Sequence, residues 1–382
     1  MCLTKCQGFV RAGFPADRLY GTLLIMKLAY YTASREKILD MLARALPRFS
    51  VWAPVPDKEF FSFERMRTKN DLTKAAFEYD TTMLPPKKIF FPQEEVMLTQ
   101  KNGKIKEPDI EKKPVLLFGV HLVDIYGIVQ LDEIMEKPVQ DFYYARRRKS
   151  AVLGGISAPL QPFDFAARWG IAATHKPAGF DLFLEKQGDG LPYLVIVGSQ
   201  KGAQLIKPLK LLKATKAEVT IAQAHAKKMA EESTKPAYDQ DLIKKAVEHS
   251  RGGPIWEELG KVCIGCGICT YVCPLCSCSD VEDTTNDAQA GGGCSRCRKW
   301  DACTLPKIAE ISGGKNFRPE LKDRYFNWYF HKFVRGLDEY GKAQCVGCGR
   351  CSKFCPAGIN VEHVLDKIVE EYQKSEGAKT KK

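Results

Sequence analysis

The sequence has no uninterrupted apolar run near the roughly 18 residues that a membrane-spanning helix needs. The nearest stretch, Leu19 to Tyr31, is short and broken by Lys27. It also lacks the basic start, apolar centre and small-residue cleavage site of a secretory leader. The reading is a cytoplasmic protein with no transmembrane segment. Histidine is scarce, with six scattered residues, and no Ser/His/Asp set or His-Glu-x-x-His pair is present. That leaves no hydrolytic or zinc-peptidase site to argue for. Cysteine is missing altogether between Cys6 and Cys263.

What is present is an ordinary globular composition: 382 residues, 45% hydrophobic and 27% charged. The length suits two to three domains with a buried core. The net charge of +12 comes from 58 Lys and Arg against 46 Asp and Glu. Part of it sits in Arg146-Arg147-Arg148-Lys149 and in the tail Lys379-Thr380-Lys381-Lys382. A basic balance suits acidic proteins, nucleic acid or an anionic membrane face, and equally a solvated surface. Thiolate ligands and their metal clusters would also carry negative charge that a residue count omits.

Residues 1–25 read as an extended start or loose arm holding two free thiols, Cys2 and Cys6. From 26 to 253 the pattern is mixed α/β. Ser34 caps a helix carried by Ile38, Met41, Leu42 and Leu46, and Pro114 to Val120 is a buried-strand run. Phe180 to Glu185 and Leu191 to Val197 flank Gly188-Asp189-Gly190 as a hairpin. Leu209 to Glu232 reads as one long helix broken by Ser233-Thr234-Lys235-Pro236, and Asp241 to His249 as another. Gly198-Ser199-Gln200-Lys201-Gly202 lacks the full phosphate-loop pattern. Arg251-Gly252-Gly253-Pro254 marks a boundary. Beyond it, 254–372 reads as a mainly helical domain, closed by a helix that Asn360 caps and that carries Val361, Val364, Leu365, Ile368 and Tyr372 on one face. Residues 373–382 read as a basic disordered tail. The fold class is α+β: a mixed α/β N-terminal domain, then a mainly helical second domain.

Thirteen of the 15 cysteines lie between Cys263 and Cys355. In a reducing compartment such a cluster points to metal rather than disulfides. Cys263, Cys266, Cys269 and Cys273-Pro274 form a C-x2-C-x2-C-x3-C-P run, and Cys345, Cys348, Cys351 and Cys355-Pro356 repeat it. Three thiolates at this spacing wrap three corners of a 4Fe–4S cubane, while the fourth cysteine reaches the other cluster. Crossed ligation then assigns Cys263, Cys266, Cys269 and Cys355 to one cluster, and Cys345, Cys348, Cys351 and Cys273 to the second. Gly265, Gly267, Gly347 and Gly349 let backbone pass close to the sulfides. Zinc would use four ligands per ion, commonly as two C-x2-C pairs, and has no need of the repeated C-x3-C-P ending.

The runs start 82 residues apart, so a sizeable insertion separates them, with helical stretches such as Arg324 to Gly336. Inside it, Cys276, Cys278 and Cys303, with Cys294 or Cys297, are candidates for a third metal site, against buried free thiols or a small zinc site. His331, Lys332, Arg296, Arg298 and Arg350 are candidate donors to cluster sulfur, although each alone is more commonly a surface charge. Trp300 and Trp328 read as packing rather than electron relays.

The chain resembles the iron–sulfur β subunits of sulfhydrogenases and the A subunit of anaerobic sulfite reductase. The resemblance is most specific in Trp256 to Cys269, Cys273 to Val281, Trp300-Asp301-Ala302-Cys303, His331-Lys332-Phe333 and Cys345 to Cys351. It continues more faintly through Leu117 to Asp124, Asp141 to Tyr144, Gly179 to Leu182 and Val197 to Gly202. It implies a subunit with several 4Fe–4S clusters, linking a flavin-bearing, pyridine-nucleotide-binding subunit to a catalytic subunit. This chain departs from the family at Gly119-Val120-His121-Leu122-Val123-Asp124 and across Gly154 to Pro159 and Pro162 to Ala166, where relatives carry cysteines. Any extra cluster those cysteines hold is lost here or rebuilt from Cys294 and Cys297. The expected function is a relay subunit passing single electrons between a flavin-bearing or ferredoxin partner and a redox enzyme. One competitor is an enzyme with its own active-site cluster, of the heterodisulfide-reductase sort, but no Cys-Cys pair is present. Another, a zinc-organised nucleic-acid module, rests on charge alone.

Overall fold

The computed structural model describes residues 28–102, 104–108, 113–158, 161–171, 179–231, 237–286 and 293–379. The expected arm with Cys2 and Cys6, the Ser233–Pro236 breaker and the end of the basic tail lie outside the described residues.

An eight-stranded mixed sheet organises the N-terminal half. Its strands are β1 (Ala29–Ala33), β2 (Ser50–Asp57), β3 (Phe60–Met66), β6 (Val115–Val120), β7 (Val152–Ile156), β8 (Leu182–Glu185), β9 (Tyr193–Val197) and β10 (Leu212–Lys213), in the order β10-β1-β9-β8-β7-β6-β2-β3. The centre, β2-β6-β7-β8, is parallel. Both faces are covered, so central strands are apolar throughout rather than alternating. Leu116, Phe118, Leu182, Leu184 and Val195 pack on one face beneath the helix Arg35–Ala45. Their neighbours Leu117, Phe183, Leu194 and Ile196 pack on the other with Ile125, Ile128 and Leu131 of the helix Leu122–Glu136.

The expected hairpin is β8–β9, and Ser34 caps the first helix as read. The long helix expected from Leu209 is shorter. Lys210 takes a left-handed turn, Leu212 and Lys213 join the sheet edge, and the helix runs Lys216–Glu231. A reciprocal cap sets its start, because the Thr215 hydroxyl accepts from the Glu218 amide while the Glu218 carboxylate accepts from the Thr215 amide.

The C-terminal part is α-helical except for one feature that helical reading missed. Strands β11 (Ser279–Asn286) and β12 (Gly293–Trp300) in the insertion pair with β4 (Glu94–Lys101) and β5 (Lys104–Lys106) of the first half, as a four-stranded antiparallel sheet. The two halves therefore share a sheet. The helix expected from Arg324 begins at Leu321 and passes into a π turn at His331–Arg335, a geometry often found at functional sites. The last helix, capped by Asn360, runs to Lys379, past the 372 boundary expected for the tail. The architecture is α+β. Among the described residues no helix is long and apolar enough to cross a membrane.

Candidate metal centre

The two cysteine runs fold as copies of one another. Gly265 and Gly347 have φ of 69° and 65°, and Gly267 and Gly349 have 79° and 66°. Left-handed backbone turns the chain so that the Gly265 and Gly347 amides donate to the Cys263 and Cys345 sulfurs, each at 3.4 Å. Each loop then enters a single helical turn, Ile268–Tyr271 or Arg350–Lys353. Close packing makes the second loop intolerant of any side chain: a Cβ at Gly349 would lie 1.8 Å from the Phe163 carbonyl oxygen, and one at Gly347 would lie 2.6 Å from the Ala166 nitrogen. The Phe163–Ala166 stretch, where relatives were expected to carry cysteine, is therefore a packed backbone wall against the second loop.

Within each cysteine run the thiols are close electrostatic neighbours, and each run also borders one cysteine of the other. Burial pushes the Cys269 thiol up to about 12, and Cys263, Cys266 and Cys355 are the sulfurs that add to it. Cys263, Cys266, Cys269 and Cys355 also line one small cavity, which Cys351 lines too. Burial likewise raises Cys351, helped by Cys348, Cys345 and Cys273. Cys345 is pushed up to about 12 by burial, with Cys273 and Cys348 beside it. Such buried neutral thiols become thiolates when a metal displaces their protons.

Three of the basic side chains read as surface charges are buried. Lys332 donates to the Cys273 sulfur at 3.1 Å and to the Gln344 carbonyl at 3.2 Å. Burial disfavours its charge, but Cys273, Cys276 and Cys345 outweigh that and hold its pKa well up. Arg350 pairs bidentately with Asp124, both bonds 2.6 Å, in full burial, and donates to the Thr82 carbonyl at 2.8 Å. Arg298 pairs with Glu95 and Asp141 in the shared sheet. Arg296 is exposed and pairs with Asp283, as expected of a surface charge. Trp300 stacks on Phe91 and Tyr271, and Trp328 is buried against Tyr325 and Tyr329. Both fit the packing role.

The residues fit iron–sulfur clusters on a further count. The buried hydroxyls of Thr270 and Thr304 find no hydrogen-bond partner among the described residues, and Thr304 lines the first thiol cavity. Buried donors without partners beside thiols suit the sulfides and thiolates of a cluster. Among the described residues no group of three or more His, Cys, Asp or Glu is placed to hold a metal ion.

Of the insertion cysteines, Cys276 is hydrogen-bonded to Cys273 of the second group, Cys278 lies 3.8 Å from Cys303, and Cys303 borders Cys269 of the first. Cys294 and Cys297 sit on β12, Cys297 buried near Thr284 and Cys294 facing Gln100. Sequence reasoning also missed Lys87 and Asp124 as neighbours of the thiols. Both come from the first half of the chain, and no local pattern marks either one as buried.

Residues 262–359 match the family model of the 4Fe–4S dicluster domain. The chain is 35% identical over 324 residues to sulfhydrogenase 2 subunit beta of Pyrococcus furiosus, an alignment covering 84% of this chain and 92% of that one. By this likeness and its doubled cysteine loops, the chain belongs to the family of iron–sulfur β subunits of sulfhydrogenases.

Proposed function

We propose that this chain is the electron-relay subunit of a multi-subunit cytoplasmic oxidoreductase. It holds two 4Fe–4S clusters by crossed ligation, one on Cys263, Cys266, Cys269 and Cys355, the other on Cys345, Cys348, Cys351 and Cys273. Its partners are a flavin-bearing subunit or a ferredoxin on one side and a hydrogenase- or sulfite-reductase-like catalytic subunit on the other. When bound, such clusters supply one-electron redox couples. The residues around them do the rest. Gly265 and Gly347 amides donate to ligand sulfur, and Lys332 places a buried cation against Cys273.

The observation that supports this reading is that Cys355 is a charge neighbour of Cys263 and Cys269, and Cys273 of Cys345 and Cys351. Cys351 of the second run lines the same cavity as the first thiols, a closeness that suits short electron hops. The test is isolation of the assembled complex without oxygen. Co-purification with redox subunits, and loss of one cluster's EPR signal in C355S and of the other's in C273S, are expected. A lone chain with its own turnover, or variants that each lose both signals in a folded protein, would count against it.

A further inference from the structure

The two cysteine loops are copies in spacing and backbone, so each position of one has a counterpart 82 residues along in the other. Their surroundings differ. Around the second loop, a Cβ at Gly347 or Gly349 would meet Ala166 or Phe163 of the first half. Val346 is 2% exposed, in a core shared with Ile125 and Ile128, and Pro274 is buried against Gly127. Around the first loop, the atoms nearest Gly265 and Gly267 belong to Leu321, Thr304, Ala302 and Tyr271, all of the second half. The counterpart of Val346 is Ile264, 66% exposed, and the counterpart of Pro274 is Pro356, also exposed. The first half of the chain thus covers one copy of a face that stands bare on the other.

A lone exposed aliphatic residue needs no explanation. Ile264 and Pro356 differ from that case because both line the thiol cavity, together with Cys266, the one exposed cysteine among the described residues. Val262, also exposed, ends the helix Pro254–Val262 just before the loop. The rim is basic. Lys261 of that helix is exposed, as is Lys307 in the short turn Pro306–Ala309, which follows the Thr304 carbonyl beside Gly265. Among the described residues neither lysine is tied to a carboxylate. Glu257 of the same helix is held by Lys322, which leaves Glu258 as that helix's one carboxylate outside an ion pair.

We infer that the face formed by Val262, Ile264, Cys266 and Pro356, rimmed by Lys261 and Lys307, is the dock for a redox subunit whose own contact surface is apolar at the centre and acidic at the rim. This rests on the relay reading above and names where the relay opens to its partner. An apolar cover there excludes water from the first loop as the first half does from the second, and two lysines against one carboxylate select an acidic rim. Cys266 sets a ligand sulfur of the proposed first cluster at the surface, so the electron crosses to the partner there.

The complex is purified without oxygen through a tag on this chain, and each subunit is identified by its mass and its own flavin or iron. Wild type is compared with I264E, K261E/K307E and V139E, the last at an exposed apolar position of the first half. I264E should retain at least about tenfold less of one redox subunit, and K261E/K307E about threefold less, while V139E matches wild type. EPR of the reduced chain should show both cluster signals in K261E/K307E. Undiminished retention in an I264E chain with both signals overturns the inference and leaves the relay reading standing. So does an equal loss in V139E. I264E that keeps every redox subunit but separates two copies of this chain also overturns it, in favour of a contact between copies. If I264E fails to hold its iron, K261E/K307E decides the matter, and undiminished retention there overturns the inference. A wild-type chain that brings down no redox subunit sinks the relay reading, and this dock with it.

Discussion

Replacing Lys332 by methionine tests whether the buried ammonium sets a reduction potential. Lys332 is 4% exposed and its Nζ lies 3.1 Å from the Cys273 sulfur. At that separation and an effective dielectric of about 20, two unit charges interact by about 5 kcal/mol. An added electron spreads over the cluster, so Lys332 is expected to feel only part of it, roughly 1–3 kcal/mol. For one electron about 1.4 kcal/mol corresponds to about 59 mV. The cation stabilises the reduced, more negative form, so its loss lowers the potential. K332M should therefore shift the cluster proposed on Cys345, Cys348, Cys351 and Cys273 by roughly 40–130 mV to more negative values. K332R keeps the charge and should shift it much less. EPR-monitored potentiometric titration under argon reads the midpoint directly. An unchanged or more positive midpoint in K332M, with cluster content intact, would refute the reasoning.

Three further outcomes follow from buried groups. D124L strands the Arg350 guanidinium, which is 1% exposed, and should destabilise the protein by about 3–5 kcal/mol in urea unfolding. D124L/R350M should recover most of that, because an apolar pair replaces the ion pair. If the double variant is as unstable as the sum of the singles, the pairing account is wrong. Burial raises Glu185 from 4.5 to about 8, with the Ser157 hydrogen bond opposing. The native state therefore holds a proton that the unfolded chain gives up, and Glu185's share of stability, full below pH 4.5, is lost as pH rises toward 8. E185Q should flatten that decline, whose slope approaches about 1.4 kcal/mol per pH unit; an unchanged slope in a denaturation series across this range would show that Glu185 ionises freely. Removing iron with a chelator under reducing conditions should lower the melting temperature, since the thiols that hold it are folded-state ligands.

Much of this was legible locally. Ser34, the Gly188-Asp189-Gly190 turn and Asn360 act through neighbours in sequence, and each does what its residue type dictates. The cysteine loops were legible for the same reason: spacing alone fixes which sulfurs share a turn, and Gly265 and Gly347 supply the turn. What stayed hidden depends on residues far apart in the chain. Arg350 sits among polar residues and reads as surface until Asp124, 226 positions away, closes over it. Arg298 is buried because β4 and β12 pair across 203 positions. Lys87 follows two prolines and precedes Lys88, so nothing nearby suggests that its amine lies under Cys276. The helix expected from Leu209 starts at Lys216 instead, because the Thr215–Glu218 cap, itself a local signal, sets its start.

These long-range contacts bear on whether residues 254–382 hold both clusters by themselves. The first thiol group is enclosed largely by its own half, with Ile359, Tyr325 and Thr304 lining the cavity. The second is not. Val346 and Leu275 belong to the same apolar core as Ile125, Ile128 and Ala166, with Cys273 and Cys348 packed against it. The Phe165 amide donates to the Gly347 carbonyl at 2.8 Å, and Asp124 supplies the only carboxylate bonded to Arg350 among the described residues. Without residues 28–253 the loop around Cys345 to Cys351 would face water on that side, and Arg350 would lose its partner. Solvent exposure of an iron–sulfur site changes its potential and opens its sulfides to attack. A fragment 254–382 reconstituted without oxygen should therefore keep the Cys263 cluster and lose the Cys345 cluster within brief exposure to air, while the full chain keeps both longer. Equal survival of the two EPR signals in the fragment would show that the first half is only a platform for partners. Preferential loss of the second would make it a wall of the site.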